Sequence, residues 1–369
     1  MAGTGPVGVG FIGTGMISNT YLENLSSFPD VRVVILGDID AERAAAQAAK
    51  HGVPASGSSA DVLAHPDVEI VVNLTIPAVH AEVSAAAIAA GKNVWSEKPI
   101  ATDRLAARAL LAEADAAGLR VGVAPDTVLG PGVQTARRAI ARGDIGTPLS
   151  AHTVMQTAGP DDFHPNPEFL FAVGGGPLFD MGPYYITALV NVFGAVDRVS
   201  AVGSTSRATR VVQVGDRKGT PFPVEVPTYI AALARFESGA VSESVFSFDS
   251  PLLRTGVVEI TGTEATMVIP DPNTFAGPVM LTRAGREPEW RTIEPVGVEA
   301  GRGLGVLDMA RAIRSGQPHI ATGALGYHVL DTLVSIDEAA ASGETVRVES
   351  TVGEIPLVPE DRDPREATL

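Results

Sequence analysis

Residues 6 to about 124 alternate short apolar segments with alanine-rich stretches, and this alternation limits the possible folds more than any other feature of the chain. Such alternation is typical of parallel βαβ units. It predicts strands at Val7–Ile12, Val31–Leu36, Ile70–Thr75, Asn93–Trp95 and Val121–Ala124. It predicts helices near residues 15–26, 41–51, 78–90 and 103–117, three of which would end at Gly52, Gly91 and Gly118.

After a further helix near residues 132–141, the sequence pattern changes to the alternation of apolar and polar residues that is typical of strands, interrupted by hairpin turns. Two hairpins are predicted, one from Thr228–Phe236 to Ala240–Ser247 and one from Val257–Thr261 to Ala265–Ile269. Strands without intervening helices imply an antiparallel sheet. Two late helices are predicted near 304–315 and 324–342.

Composition excludes several classes of partner and chemistry. The net charge of −16 disfavours nucleic acid and anionic membranes as partners, because both would repel the protein. The absence of cysteine excludes disulfides and thiol chemistry, and the scattered histidines show no spacing typical of a metal site. No lysine or arginine precedes Arg32 and no apolar run reaches membrane-spanning length, so we expect a cytoplasmic protein without metal.

Two overlapping glycine patterns occur at the first strand. Gly8, Gly10 and Gly13 fit a phosphate-binding pattern by letter, but two of them would lie inside the strand. Gly13, Gly15 and Ser18 instead fall where the strand turns into a helix, where backbone N–H groups can hold a pyrophosphate. The residues predicted to contact a dinucleotide at this turn are Ile12, Gly13, Thr14, Gly15, Met16 and Ile17.

Asp38, at the end of the second strand, completes the nucleotide pattern. Its carboxylate can accept hydrogen bonds from both adenosine ribose hydroxyls and would repel a 2′-phosphate, so NAD is favoured. Neighbouring Ile39 offers no cation for that phosphate, although Arg43 could support NADP. A purely structural role for Asp38, at the strand end or as a helix cap, stays open, but Asp40 is better placed for the cap.

These observations predict an α/β fold class with two domains and a tail. Residues 1–128 would form an NAD(P)-binding Rossmann domain. Residues 129–350 would form an α+β domain with a large open, mainly antiparallel sheet, for substrate binding and oligomerisation. The tail, residues 351–369, is rich in Pro, Asp and Glu and is expected to pack loosely.

Lys98 is one of only four lysines, and it lies between Glu97 and Pro99 just after a buried strand. Thr75 and Lys98 both fall at carboxyl ends of predicted strands, where open α/β sheets bind ligands. A partly exposed Lys98 paired with Glu97 is the alternative. His80, at the start of a helix, is predicted to lie on the cofactor side of the site, although a histidine in such a position more often has a structural role.

The second domain contains a glycine-rich stretch, Gly174 to Tyr184, that opens an apolar helix. Asp180 and Tyr184 are four residues apart and would share one helix face. Asp180 as a helix-terminal cap and Tyr184 as aromatic packing remain alternatives. His164, in a preceding loop rich in proline, could reach a substrate or lie on the surface.

The order and spacing of these motifs resemble the Gfo/Idh/MocA oxidoreductases, named for glucose-fructose oxidoreductase and inositol dehydrogenase, over nearly the whole chain. The resemblance implies that Lys98 lies at the nicotinamide and substrate, that Asp180 contacts substrate, and that the protein forms homodimers or homotetramers. The position of Tyr184 holds tyrosine in glucose-fructose oxidoreductase and dihydrodiol dehydrogenase, so the resemblance implies that Tyr184 transfers the proton. One ammonium about 4 Å away could supply the roughly 4 kcal/mol that brings a phenol pKa from about 10 toward 7.

The chain also departs from the family. Pro125, Asp126 and Thr127 replace the usual Asn and Arg after the fifth strand region, so an extra acid, Asp126, is expected at the pocket mouth. An acid there disfavours phosphorylated or carboxylated substrates and suits a neutral polyhydroxy substrate. We also expect a changed loop under the nicotinamide, because Ile76 and Pro77 follow Thr75 where the family has Pro and Asn.

The leading hypothesis is an NAD-dependent dehydrogenase or reductase acting on a secondary alcohol of a sugar, glycoside or cyclitol. Lys98, Asp180 and Tyr184 would be its catalytic residues, and Asp126 and His164 would add substrate contacts. One alternative is an enzyme that retains NAD through its cycle, as a sugar-sugar oxidoreductase or an NAD-dependent glycosidase does. Another is a non-catalytic regulator that senses nucleotide.

Overall fold

The computed structural model describes residues 4–283, 285 and 289–369, and it divides into two compact units. The first unit contains Met1–Gly130, Gly297–Leu330 and Val358–Leu369, and the second contains Pro131–Val296 and Asp331–Leu357. The structure differs from the predicted division because the chain returns to the first unit twice.

The first unit is built on a parallel sheet, as the βαβ pattern predicts. Its strands are β1 Val7–Ile12, β2 Val31–Gly37, β3 Ser56–Gly57, β4 Ile70–Asn73, β5 Asn93–Ser96 and β6 Val121–Val123. Its first five helices are α1 Met16–Leu25, α2 Ala41–His51, α3 Ser59–Ala64, α4 His80–Ala89 and α5 Arg104–Ala117. Within the described residues the strand order is β3-β2-β1-β4-β5-β6, the order of a dinucleotide-binding Rossmann sheet. The fold class predicted from the sequence is confirmed for this unit.

The short β3 and α3 were not predicted, because neither is long enough to show a period. Ser58 caps α3 through a reciprocal capping box with Asp61. The glycines inside β1 have a packing role. A Cβ at Gly8 would lie 1.7 Å from the carbonyl oxygen of Asp67, so only glycine lets that loop approach the strand.

The second unit is built on a large mixed sheet, and its elements follow in chain order. They are α6 Pro131–Ala141, β7 Pro148–Gln156, α7 Gly176–Phe193, β8 Val196–Ser204, β9 Thr209–Val211, β10 Pro221–Pro223, β11 Tyr229–Phe236, β12 Val241–Ser247, β13 Arg254–Gly262, β14 Ala265–Val268, β15 Val279–Arg283 and β16 Trp290–Ile293. The chain then forms α8 Leu304–Ser315 in the first unit, α9 Gly323–Ser342, which has residues in both units, and β17 Val346–Arg347 in the second.

Nine of the described strands form the sheet of the second unit, in the order β16-β15-β14-β13-β7-β12-β11-β8-β17. All neighbours are antiparallel except β12 and β7. Both predicted hairpins, β11–β12 and β13–β14, are present. The prediction of a large, mainly antiparallel sheet is therefore confirmed. Tyr185 of α7 packs edge-on against Phe246 of β12, with ring centroids 5.8 Å apart, and so joins helix and sheet.

Residues 297–330 were assigned to the second domain from the sequence, but in the structure they belong to the first unit. Ionic contacts explain the difference. The Arg314 guanidinium bonds both oxygens of Glu69, at 2.7 and 2.6 Å, and Arg311 Nε lies 2.7 Å from Asp30 Oδ2. The α8 helix is therefore attached to the unit that holds β1 and β4.

The tail was expected to pack loosely, and the structure corrects this for residues 358–369. The backbone N–H groups of Thr368 and Leu369 donate to Asp30 Oδ1, and Arg362 forms an ion pair of 2.7 Å with Asp308. Hydrogen bonds from Thr368 and Arg311 hold the pKa of Asp30 below its ordinary value, although burial opposes this. The acidic composition of the tail was a misleading signal, because its backbone and arginine supply the contacts.

Among the helices of the described residues, none combines the length and the apolar character needed to cross a membrane.

Helix α8 packs against the indole of Trp95 so closely that Gly305 cannot carry a side chain. A Cβ at Gly305 would lie 2.0 Å from Trp95 Cη2, and Trp95 is fully buried. We expect Gly305→Ala to lower the free energy of unfolding by about 2–3 kcal/mol, because overpacked cores must shift. Urea denaturation measures the change. Gly353→Ala is the matched control, since a Cβ there meets nothing within 4 Å, and equal effects of both substitutions would contradict the prediction.

Candidate active site

The carboxyl ends of β1, β4 and β5 lie side by side, because these strands are neighbours in the parallel sheet. Backbone hydrogen bonds continue past the strands. The N–H of Leu74 donates to the carbonyl of Ile12 at 2.8 Å, and the N–H of Glu97 donates to that of Asn73 at 2.9 Å. The turn after Ile12 and the segments carrying Thr75 and Lys98 are therefore fixed along one edge of the sheet.

The turn after β1 has the geometry of a phosphate-binding turn. Gly13 has a positive φ of 99°, and a Cβ there would lie 2.6 Å from the carbonyl oxygen of Leu74. Gly15 is the N-cap of α1, no side chain caps this helix, and a Cβ on Gly15 would meet no atom within 4 Å. Unsatisfied N–H groups at a helix start, beside an open approach, fit a pyrophosphate.

The neighbouring residues of this turn differ in exposure. Ile12 is buried in β1, Thr14 is buried beside Asp38, Ile17 is half-buried, and Met16 is 75% exposed. Ser18 is buried, and its hydroxyl donates to the carbonyl of Gly15 at 2.7 Å. Ile12 thus supports the turn from within the sheet, whereas Met16 presents its side chain to solvent.

Asp38 is held from several sides at the end of β2. Both the N–H and the hydroxyl of Thr14 donate to Oδ2 at 2.7 Å, and the N–H of Asp40 donates to Oδ1 at 3.0 Å. Arg43 adds an ion pair of 2.6 Å to Oδ1. Asp38 is only 5% exposed, which excludes a solvated strand-end role, and Asp40 is the cap of α2 through its bond with the N–H of Arg43.

The partners of Asp38 keep it ionised. Burial alone would raise its pKa, but the hydrogen bonds from Arg43, Asp40 and Thr14 lower it to about 2. A depressed pKa means that the carboxylate stabilises the fold above its ordinary pKa of about 4, and that this contribution is lost as the pH falls toward 2. At neutral pH a carboxylate at the end of β2 fits the ribose hydroxyls of NAD and repels a 2′-phosphate. Beside it, Ile39 is 98% exposed.

Asn73, the last residue of β4, organises the segment that follows this strand (the β4 exit), a role that sequence analysis missed. Its Oδ1 accepts from the N–H and the hydroxyl of Thr75, and its Nδ2 donates to the carbonyl of His80 and the hydroxyl of Ser84. The available sequence signal was an asparagine near the end of an apolar strand. In the structure this asparagine is fully buried.

His80 is 1% exposed and joins two of the strand exits. Its Nδ1 lies 2.7 Å from the carbonyl oxygen of Pro99, and its Nε2 lies 3.0 Å from that of Thr75. Burial lowers the pKa of His80, although both carbonyls and Glu97 oppose this. The cofactor-side role of His80 stays a prediction; because both ring nitrogens face backbone carbonyls, His80 would act through the segments of Thr75 and Pro99.

Glu97 and Lys98 follow β5 and are half-buried. Glu97 Oε1 accepts from the hydroxyl of Tyr21 at 2.9 Å, and Oε2 accepts from the N–H of Lys98 at 3.2 Å. The indole N–H of Trp95 donates to the oxygen of Tyr21 at 3.2 Å. Glu97 is thus tied to the core behind Lys98. Tyr21 gave no sequence signal, since it lies on a helix face without a recognisable motif.

The structure also corrects the prediction for Asp126. This side chain is 0% exposed rather than at a pocket mouth, and its Oδ2 accepts the N–H groups of Gly303 and Gly305 at 2.8 and 3.1 Å. Burial raises its pKa to about 6, although Arg302 and the two N–H groups oppose this. An acid that anchors the start of α8 cannot be read from its neighbours in sequence, because its partners come 177 and 179 residues later.

In the second unit, Asp180 and Tyr184 lie one turn apart on α7. The residue that caps this helix is Gly175, without a side-chain hydrogen bond, so Asp180 is not a cap. Asp180 is half-buried and Tyr184 is 6% exposed. The glycines before them are required by the backbone: Gly174 and Gly176 have φ of 85° and 77°, and a Cβ at Gly175 would lie 2.7 Å from the carbonyl oxygen of Phe169.

Tyr185 and His164 have roles that the structure specifies more closely. The Tyr185 hydroxyl oxygen accepts from the N–H of Gly256 at 2.7 Å, and the ring is fully buried, so this tyrosine is the packing residue of the pair. His164 is half-buried in the loop before α7, where its Nδ1 accepts from the N–H of Asn166 and its ring packs edge-on against Phe169 at 5.4 Å.

Taken unit by unit, the geometry defines the class of protein. A Rossmann sheet with a glycine turn, an ionised Asp38 and a lysine at the β5 exit is the arrangement of an NAD-binding oxidoreductase domain. Residues 7–124 match the model of an oxidoreductase family with an NAD-binding Rossmann fold, and residues 133–268 match the GFO/IDH/MocA C-terminal domain. The chain therefore belongs to the Gfo/Idh/MocA family of oxidoreductases, and the resemblance predicted from its motifs is confirmed.

Relatives and solved structures extend this result. Inositol 2-dehydrogenase 3 of Saccharopolyspora erythraea is 37% identical over 161 residues, which span 43% of this chain and 48% of that protein. The 1,5-anhydro-D-fructose reductase of Ensifer adhaerens is 28% identical over 92% of this chain and 98% of its own. The crystal structure of levoglucosan dehydrogenase with NADH and levoglucosan has the same fold, with a TM-score of 0.81 and 24% identity over 94% of this chain and 100% of that one.

We expect Asp38→Asn to weaken NAD binding about tenfold and to strengthen NADP binding, because the substitution removes the charge that repels a 2′-phosphate. Isothermal titration calorimetry measures both affinities. Asp40→Asn is the matched control, since asparagine caps a helix as well as aspartate does and should leave both affinities within about threefold. An Asp38→Asn protein with the original preference for NAD over NADP would contradict the assignment.

Proposed function

We propose that the protein is an NAD-dependent dehydrogenase or reductase that acts on a secondary alcohol of a sugar, glycoside or cyclitol. The observation that carries the proposal is the position of Lys98 at the β5 exit, on the sheet edge that also holds the Gly13 turn and Asp38. A nucleotide-binding regulator needs the turn and Asp38 but has no need of a lysine at that edge.

The residues of the first unit fit NAD. The N-terminal turn of α1 would hold the pyrophosphate, and Asp38 would accept the ribose hydroxyls once Arg43 moves aside. Arg43 is 47% exposed at its side chain, so it has room to turn outward. Bound NAD supplies the nicotinamide carbon that accepts or donates the hydride.

In this proposal, side chains of the protein bind the reacting oxygen of the substrate and transfer its proton. When the alcohol is oxidised, Tyr184 takes the hydroxyl proton, and the ammonium of Lys98 hydrogen-bonds the oxygen as it gains negative charge. Asp180, one turn before Tyr184 on α7, accepts a neighbouring substrate hydroxyl and so orients the carbon that reacts. For reduction the same groups act in reverse, and Tyr184 donates the proton.

The class of substrate rests on Asp180 and on the relatives. Asp126 no longer supports it, because it is buried. A carboxylate on the face of α7 that carries Tyr184 accepts hydrogen bonds from hydroxyl groups and repels anions, which favours a neutral polyhydroxy substrate. Relatives named for inositol, anhydrofructose and levoglucosan agree with this class. We also propose a cytoplasmic location, where a dissociable nicotinamide pool is present.

A panel of sugars, glycosides and inositols, assayed with NAD and NADH at the reduced nicotinamide absorbance, tests the activity. Protein passed first through gel filtration also reveals whether the cofactor stays bound. Absence of turnover in both directions with every compound of the panel would refute the proposal.

We expect Lys98→Ala to lower kcat by about 10³-fold with little change in NAD affinity, because the substitution removes a charge used mainly in the transition state. Lys92→Ala is the matched control. Lys92 donates to the carbonyls of His65 and Val68, and its loss should change kcat less than threefold. Tyr184→Phe should lower kcat about 10²-fold, whereas Tyr185→Phe should affect mainly stability. Normal turnover by Lys98→Ala would contradict the mechanism.

We further propose that the protein forms homodimers, or tetramers built from them, through the open face of the nine-stranded sheet. Across β13, β7 and β12 the residues Glu259, His152 and Glu243 form one row, and Arg235 and Arg198 of β11 and β8 lie in the next. This face has a shallow depression of about 840 Å³. A two-fold axis through it would place the acidic row of one copy on the arginines of the other.

If this face joins two copies, Glu243→Arg should produce monomers, because it sets arginine against arginine across the two-fold axis. Light scattering coupled to gel filtration gives the mass directly. Glu113→Arg makes the same charge change on the exposed side of α5 and should leave the dimer intact. A dimer that tolerates Glu243→Arg would place the interface elsewhere.

A further inference from the structure

Between β8 and β11 the chain of the second unit leaves the large sheet and forms a separate two-stranded sheet from β9 and β10. We call residues 205–228 the β9–β10 arm. Its two ends lie together, because the N–H of Thr228 donates to the carbonyl of Ser204 at 2.9 Å and the N–H of Val224 donates to that of Ala208 at 3.0 Å. The mechanism proposed above does not use this arm.

A second segment of the same unit, residues 158–171, lies along the β9–β10 arm. We call it the pre-α7 loop, because it contains His164 and leads into the helix that carries Asp180 and Tyr184. An element that fixes this loop therefore acts on the part of the second unit to which we assign substrate binding.

Backbone contacts join the β9–β10 arm to both ends of the pre-α7 loop. The N–H of Gln213 donates to the carbonyl of Asp161 at 3.1 Å, and the N–H of Glu225 donates to that of Phe171 at 2.9 Å. The arm also reaches the first residue of α7, since a Cβ at Gly176 would lie 3.1 Å from a carbonyl oxygen of the arm. The loop and the start of the helix are thus held by one neighbour.

Arg210 of β9 connects the arm, the start of the pre-α7 loop and the end of β12. Its side chain is 3% exposed, and Nη1 donates to the carbonyl of Ala158 at 2.8 Å and to Asp161 Oδ1 at 2.7 Å. Its Nη2 donates to the carbonyl of Phe248 and, at 2.7 Å, to Asp249 Oδ1. A planar guanidinium with several fixed donors suits such a junction, whereas an ammonium on a flexible stem does not.

The end of the pre-α7 loop is held by aromatic packing. The ring of Phe171 is fully buried, and the guanidinium carbon of Arg210 lies 5.0 Å from its centroid. The same ring packs against Phe222 of β10 and against Phe248, with centroids 5.3 and 5.8 Å apart. Both strands of the arm therefore contact the residue at which the loop ends.

The turn of the arm holds the part of the loop next to His164. Arg217 Nη1 donates to Asn166 Oδ1 at 3.0 Å, and its Nη2 forms an ion pair with Glu168. The N–H of Asn166 in turn donates to His164 Nδ1 at 3.0 Å. The side chain of Arg217 is 47% exposed, so this contact can be removed without opening the core.

We infer that the β9–β10 arm is a positioning element of the substrate site, and that Arg210 and Arg217 are positioning residues that fix the pre-α7 loop. A loop held at its start, beside His164 and at its end presents one arrangement of side chains to a substrate. A loop released from the arm must be ordered at each binding event, which weakens substrate binding. The kinetic effect of this inference rests on the proposed dehydrogenase function.

The kinetic test changes Arg217, because this arginine is exposed. We expect Arg217→Ala to raise KM for the polyol about tenfold, with kcat within about threefold of the original, because the cost of ordering the loop falls on binding rather than on the chemical step. KM for NAD should not change, since the residues assigned to NAD belong to the first unit.

Two further variants separate positioning from a merely structural contact. Arg142→Ala is the matched control, because Arg142 is a similarly exposed arginine of the second unit, paired with Asp144 at 2.9 Å, and its loss should leave the polyol KM unchanged. Arg217→Lys keeps a charge opposite Glu168 and should recover part of the lost affinity. A polyol KM that is unchanged in Arg217→Ala, or that rises together with the KM for NAD, would overturn the inference.

Hydrogen exchange measured by mass spectrometry tests the positioning without any turnover. In the pre-α7 loop the N–H of His164 donates to the carbonyl of Pro160 at 2.8 Å, and the N–H of Phe171 donates to that of Glu168 at 3.0 Å, so opening of the loop exposes these amides. We expect peptides of residues 158–171 to exchange about tenfold faster in Arg217→Ala and at the original rate in Arg142→Ala.

The two measurements fail in different ways. If the original protein turns over no polyol, the proposed function fails, and hydrogen exchange still decides whether the arm holds the loop. Exchange of residues 158–171 that is equal in Arg217→Ala and the original protein, or that is faster throughout the whole chain, would overturn the positioning role.

Discussion

The parallel backbone ladder of β1, β4 and β5 is the constraint on which the candidate site depends. Parallel pairing makes all three strands end at one edge, and the ladder continues beyond them through Leu74 and Glu97. Each residue after a strand therefore has a fixed neighbour on the next exit. His80 adds a second connection between these segments, since its ring nitrogens lie 2.7 and 3.0 Å from the carbonyl oxygens of Pro99 and Thr75 and a neutral ring donates to one of them. The chemistry proposed for Lys98 requires this rigidity, because a flexible ammonium would be solvated as readily as it would bind an alkoxide.

Local signals in the sequence predicted the parts of the site whose partners are close along the chain. The Gly13 turn and the cap at Asp40 depend on residues within a few positions, and the Asp38 site adds only Thr14, one βα unit away. Periodicity was sufficient for the long helices and for the hairpin β11–β12. Neither signal reports contacts made across hundreds of residues.

Asp126 illustrates that limit. Its place after a strand, where the family has Asn and Arg, predicted an acid at the pocket mouth, whereas the start of α8 buries it completely. The return of residues 297–330 to the first unit was missed for the same reason. Arg314 and Arg311 resemble ordinary surface charges on an amphipathic helix, and only the folded chain places Glu69 and Asp30 opposite them. The short β3 and α3 were missed for lack of length.

Asp38 is bonded by the protein itself before any nucleotide is considered. Thr14, Asp40 and Arg43 together occupy both of its oxygens. In the proposed mode of NAD binding, recognition at this position would therefore be an exchange of partners, in which ribose hydroxyls replace a guanidinium, rather than the filling of an unsatisfied carboxylate. Such an exchange limits the net gain in affinity, because the hydrogen bonds formed replace hydrogen bonds lost.

The return of residues 297–330 and 358–369 to the first unit also determines when that unit can be completed during synthesis. A ribosome that has released residues 1–130 has exposed every strand of the Rossmann sheet, but not the helix that covers Trp95 or the backbone that binds Asp30. The sheet must wait, with this apolar surface open, while the whole second unit is made. The unit whose strands are made earlier is thus the one that is completed later.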